Sequence, residues 1–222
     1  MNADDRRERR VAWVLLLICP LSLVALCTYI TLLEDSSHIF DLHPRIYLQT
    51  TCLLWASIMT LLPVARLRRI LALPIWFMLI LYGDMYIFVT SLLNGLYMEL
   101  SWWANFTHVV SSLVVSSIVY MALCVMAAHS PSHVVLSKGA IVMMTFLIGC
   151  AFGVIWEVGE GLVEIITKVD YMSYGAVHTL YNLVADVVGA AIMAVIAFCM
   201  LRKHDAVYFA SKVRIGRAKI EY

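Results

Sequence analysis

Charge is scarce in this sequence. Asp, Glu, Lys and Arg make up 14% of its 222 residues while hydrophobic types reach 63%, a balance outside the soluble globular range. The scarcity excludes a water-soluble domain. Short segments of alternating polarity are also missing, which excludes a transmembrane β-barrel. No internal repeat is visible, so nothing announces an inverted-repeat transporter. The six cysteines, Cys19, Cys27, Cys52, Cys124, Cys150 and Cys199, form no CxxC pair. They read as small apolar packing residues and say nothing of the redox compartment. Neither HExxH nor a duplicated ExxH occurs, so no ready-made metal signature is present. No small-x-small cleavage site follows the first apolar run before Glu34 and Asp35, and that run is expected to be a retained span rather than a signal peptide.

What the chain has in abundance is apolar length, with a mean hydropathy of +0.87. Six segments are long enough to cross about 30 Å of hydrocarbon: Val11 to Leu33, Ile46 to Ala65, Ile70 to Leu93, Trp103 to Ala128, Gly139 to Thr167 and Val177 to Leu201. The expected fold is an all-α, polytopic six-transmembrane-helix bundle over residues 11–201, with a basic N-terminus (1–10) and a basic tail (202–222). Of the 16 Lys and Arg, all but Arg45 and Lys168 fall on one side of this arrangement. The positive-inside rule places both termini in the cytoplasm. The basic segments read as topology anchors, not as nucleic-acid patches. The tail could lie along anionic headgroups, dock a protein partner or stay unstructured.

Polar residues inside the apolar runs locate the function. The fifth run contains Gly149-Cys-Ala-Phe-Gly153-Val-Ile-Trp156-Glu157-Val-Gly159-Glu160-Gly161-Leu-Val-Glu164. Glu157, Glu160 and Glu164 are spaced i, i+3, i+7, which puts them on one helical stripe. Carboxylates at membrane depth face protein or a hydrated cavity rather than lipid, so that stripe must turn inward. Gly149, Gly153, Gly159 and Gly161 are expected to let neighbouring backbones approach beside it. The sixth run supplies His178, Asn182 and Asp186 at i, i+4, i+8, with Ala185 and Gly189 alongside. The fourth opens with Asn105-Phe-Thr107-His108, followed by Ser111, Ser112 and Ser116, and the third holds Asp84. Asp84, Glu157 and Asp186 each fall about 14 to 15 Å from the outer end of their runs, and His108 about 7 to 8 Å. Four helices are therefore expected to converge their polar groups on one layer. The outer loop Glu34 to Arg45, with His38 and His43, reads as solvated, because nothing fixes ligand geometry there.

The layer holds Asp84, Glu157, Glu160, Glu164 and Asp186 but no Lys or Arg. Five carboxylates in a poorly hydrated space require protons or a cation. A divalent metal held by His108, Glu157, Glu160 and Asp186 is chemically reasonable, with Asp84, Glu164, His178 and Asn182 as auxiliary groups.

The set Asn105-Phe-Thr107-His108, Trp156-Glu157-x-x-Glu160 and Asn182-Leu-Val-Ala-Asp186-x-x-Gly189 resembles the bacterial inner-membrane family typified by YjdF. It is more distantly similar to the VanZ-like proteins linked to glycopeptide resistance. The resemblance covers the fourth to sixth runs and implies a fold and a site but no particular reaction. Asn105 and Asn182 stand where it leads one to expect Asp.

Two functions from different classes stay open. One is a protein that holds a cation and binds or acts on a membrane lipid or envelope precursor, with Glu157, Glu160 and His108 as ligands or acid-base groups. The other is a proton- or cation-coupled transporter using the same acids. A structural subunit docking through residues 202–222 is a third.

Overall fold

The computed structural model describes residues 56–57, 60–68, 70–93, 96–129, 135–167 and 175–215, with scattered positions between 6 and 28. The first two expected spans and the Glu34 to Arg45 loop lie wholly or largely outside them. The chain divides into two compact units, Met1–Glu99 with Lys212–Tyr222, and Leu100–Ser211.

In the first unit, β1 (Leu71–Ala72) precedes α1 (Ile75–Leu93) and the single turn α2 (Leu96–Glu99). Two expectations change here. The third apolar run becomes helical only at Ile75, after Pro74, which cannot donate a backbone hydrogen bond. The segment before it pairs antiparallel with β2 (Arg214–Ile215), Leu71 opposite Ile215 and Ala72 opposite Arg214. Arg214 and Ile215 of the tail are therefore paired rather than unstructured.

The second unit is built on three long helices, α3 (Trp103–His129), α4 (Lys138–Thr167) and α5 (Ala176–Lys203). Their ends fall within two residues of the fourth to sixth apolar runs. Each is long and apolar enough to cross a membrane, whereas within α1 the apolar stretch Trp76–Ser91 is shorter. Contacts at both ends fix their directions. His108, early in α3, meets Glu157, late in α4, and Asp186, early in α5. At the far end Lys138, which opens α4, donates from Nζ to the Leu201 carbonyl at the close of α5 (2.9 Å) and pairs with Asp205 (2.6 Å). Hence α3 and α5 run one way and α4 the other. A cation on the last carbonyls of α5 also suits its dipole. Asp205 opens α6 (Ala206–Ala210), whose Phe209 packs edge-on against Tyr120 of α3 at 5.5 Å.

Close packing follows from small residues at helical intervals. Among its described side chains α4 buries one narrow row, Ile141, Thr145, Gly149, Gly153 and Glu157, spaced by four. Such a row is one of the ridges by which helices interlock. A Cβ on Gly149 would strike Ser116 and one on Gly153 would sit 2.7 Å from Asp186 Cγ. On α5, a Cβ on Gly189 would collide with the Val109 carbonyl and approach Ser112 Cβ to 2.9 Å. The expectation for Gly159 and Gly161 is corrected: no heavy atom lies within 4 Å of their Cβ positions among the described residues. They sit off the buried row, where close approach is not needed.

Candidate polar site between three helices

The narrow row on α4 ends at Glu157, and that is where the three helices bring their polar side chains together. His108, Glu157 and Asp186 each offer one ligand atom, and these atoms all lie within 4.8 Å of one another. His108 Nδ1 stands 3.3 Å from both Asp186 oxygens. On the other side of the ring, Nε2 stands 3.5 Å from Glu157 Oε1. Exposure of the three side chains is 13%, 5% and 6% for His108, Glu157 and Asp186.

Each member is positioned by its own helix. Gly153 leaves room for the Asp186 carboxylate, which occupies the space a side chain there would fill. Ser112, one turn below His108, donates to the Asp186 backbone carbonyl at 2.7 Å and ties α3 to α5 beside the site. The shared level also bears on depth. His108 is five residues from the start of α3, whereas Asp186 is ten from the start of α5 and Glu157 ten from the end of α4. Since all three meet, α4 and α5 extend about 7 Å farther past the site than α3 does.

The electrostatics turn on one contact. With Nδ1–H directed at Asp186, the neutral ring presents the Nε2 lone pair to Glu157 Oε1, an atom that is buried without a hydrogen-bond partner among the described residues. Two lone pairs facing each other in a poorly solvated seam repel. No Lys or Arg occurs between Trp103 and Ser137, between Gly139 and Thr167, or between Val169 and Leu201 to offset the carboxylates. A positive species between Nε2 and Oε1, a proton or a metal ion, turns the repulsion into attraction. Asp186 on Nδ1 is then the outer partner that fixes the ring's tautomer and orientation.

The other expected residues fall around this group. Glu160 lies one turn outward and accepts from Trp156 Nε1 at 2.9 Å; it is outside the compact group of three. Asn182, one turn from Asp186, is buried, and its Oδ1 has no partner among the described residues. His178 is half-buried in the first turn of α5. Glu164 belongs to α4, but its side chain lies outside the described residues. Asp84 lies on α1 in the first unit; the described group of three comes from α3, α4 and α5. The free thiols Cys124, Cys150 and Cys199 range from buried to exposed and take no part in it. The close approach expected at Gly149 and Gly153 is found, eight and four residues before Glu157. One positioning feature went unread in the sequence: Trp156 precedes Glu160 by one turn.

A family model described as "Predicted membrane protein (DUF2238)" matches residues 13–203. No curated protein and no solved structure matches.

Proposed function

The chain belongs to the DUF2238 family of predicted membrane proteins, and from that premise we propose a multi-pass protein of the bacterial inner membrane that holds a divalent cation between His108 Nε2 and Glu157, with Asp186 on Nδ1 as the outer partner that orients the ring. The observation that carries the reading is the buried, unpartnered Glu157 Oε1 facing His108 Nε2 at 3.5 Å. Donors about 2.1 Å from a shared ion lie about 3 to 4 Å apart. The 3.5 Å between His108 Nε2 and Glu157 Oε1 falls within that range. An imidazole and a carboxylate suit a borderline or hard divalent ion better than a soft one. Both termini face the cytoplasm in this reading, supported by the one-sided distribution of Lys and Arg. The first two apolar runs and α1 complete six spans.

A lipid or envelope precursor is the proposed ligand class, since the site lies inside a helix seam and not on a water-facing loop. The ion would polarise a bound oxygen, and Glu160, the acid nearest along α4, would exchange protons with the ligand. The likeness to YjdF-type and VanZ-like proteins belongs to the same proposal. Tight contacts below the site, at Gly149–Ser116 and Gly189–Val109, favour binding over a transport route continuing through the seam. Elemental analysis of the purified protein tests the reading. The wild type should carry an equimolar divalent ion that Glu157→Gln loses and Glu160→Gln weakens. Equal metal content in wild type and Glu157→Gln would refute it.

A further inference from the structure

Each helix of the site carries a second polar side chain, one turn farther toward the end at which α3 and α5 begin. Asn105 precedes His108 by three residues and Asn182 precedes Asp186 by four, while Glu160 follows Glu157 by three on the oppositely running α4. At the helical rise these offsets are about 4.5 to 6 Å, all in one direction. The three residues therefore form a tier outside the first. Their bonding differs from that of the group beneath. Asn182 is 2% exposed, and its Oδ1 has no hydrogen-bond partner among the described residues. The buried Oδ1 of Asn105 has none either. Some hydroxyls in these helices bond locally, Thr145 to the Ile141 carbonyl and Ser117 to the Val114 carbonyl, whereas Ser116 Oγ and Tyr120 OH, deeper in α3, are buried without a partner among the described residues. The two carboxamide oxygens differ in lying at one level on two helices of the site. A dry amide oxygen is costly, and two at one level call for donors from outside the chain.

The geometry points to this tier as a binding site for a primary ammonium group. An ammonium carries three N–H donors and no acceptor. Oxygens of Asn105, Asn182 and Glu160 would receive them from three helices, the carboxylate having lone pairs left beyond the one that takes Trp156 Nε1. Charge agrees with this assignment. A divalent ion offsets Glu157 and Asp186, which leaves Glu160 to be matched by a single positive charge. The surroundings suit a headgroup. Trp102, Trp103 and Phe106 cluster edge-to-face or tilted at the first turn of α3, with centroids 5.3 to 6.1 Å apart. Trp102 and Phe106 are exposed, and aromatic residues of this kind sit at the membrane interface. The inference rests on the cation reading only for the neutralised group beneath it, and the amine could be borne by a lipid headgroup or by a soluble molecule.

The test uses the full chain in nanodiscs of choline-headed lipid, titrated with ethanolamine-headed lipid or with free ethanolamine, and read by native mass spectrometry with metal content measured in parallel. The wild type should prefer the ethanolamine-headed lipid over its N-trimethyl counterpart by about tenfold or more, the worth of one charge-assisted hydrogen bond. Asn182→Leu should abolish that preference with the divalent ion retained, and Asn182→Asp should keep it. Asn105→Leu gives an independent second variant, and leucine of similar size suits an apolar seam. Displacement of the lipid by free ethanolamine would assign the soluble amine as the source; resistance to it would assign the headgroup. No preference in the wild type, or a preference that survives in both leucine variants, overturns the proposal. A wild type lacking metal but keeping the amine preference would count against the cation reading alone.

Discussion

Asp186 occupies the space that a side chain on Gly153 would need, with its Cγ 2.7 Å from the ideal Cβ position. The carboxylate that orients His108 is thus seated by the absence of an atom on the facing helix. The site and the helix packing are one arrangement: the row that closes α4 onto α5 ends at the residue that faces the imidazole.

Gly153→Ala should therefore act on both. Forcing a methyl into this contact costs about 1 to 3 kcal/mol of stability and displaces Asp186 from His108 Nδ1. Gly161→Ala, with open space around it, should instead be neutral or stabilising by up to about 1 kcal/mol, the helix-propensity gain. Thermal unfolding in detergent, with metal content measured on the same samples, checks the pair. Equal behaviour of the two variants would contradict the packing described.

The opposite end of the unit gives a pH-dependent prediction. The hydrogen bond from Lys138, and then its charge, hold the Asp205 carboxyl below the usual carboxylate range. A lowered folded-state value means the contribution is present above the unfolded value and is lost as pH falls through the folded one. Asp205→Asn should lower the unfolding temperature slightly near neutral pH and match the wild type in acid. Lys138→Met should cost more, because it also removes the bond to the Leu201 carbonyl. A pH series of melting curves for the three proteins decides this.

Pairing of Leu71–Ala72 with Arg214–Ile215 predicts that the tail protects the segment before α1. Deleting residues 212–222 should speed amide exchange at Leu71 and Ala72 while leaving the middle of α5 unchanged. Unaltered exchange at Leu71 and Ala72 would show that the ladder does not persist in the membrane.

Much of this was legible in the sequence because lipid imposes simple demands. The ends of α3, α4 and α5 follow from apolar runs bounded by Trp103, Lys138, Gly175 and Lys203, and backbone satisfaction in hydrocarbon leaves helix as the outcome. His108, Glu157 and Asp186 stood out as titratable residues inside those runs. Which acids would share one point was harder. Glu157 and Glu160 lie on one stripe by spacing, yet only Glu157 continues the row of four-residue steps from Ile141. Gly159 and Gly161 misled because a glycine count ignores which side of the helix is buried. The β1–β2 ladder joins residues far apart in the chain over two positions each, and no local pattern announces such a pairing.

The central claim is that a positive ion joins His108 to Glu157, and electron spin-echo modulation with Mn(II) as the bound probe tests it directly. A nitrogen coupling from an imidazole should appear in the wild type, disappear in His108→Gln, and disappear with the bound Mn(II) itself in Glu157→Gln. Mn(II) that shows no nitrogen coupling in the wild type, or a coupling that persists in His108→Gln, would contradict it.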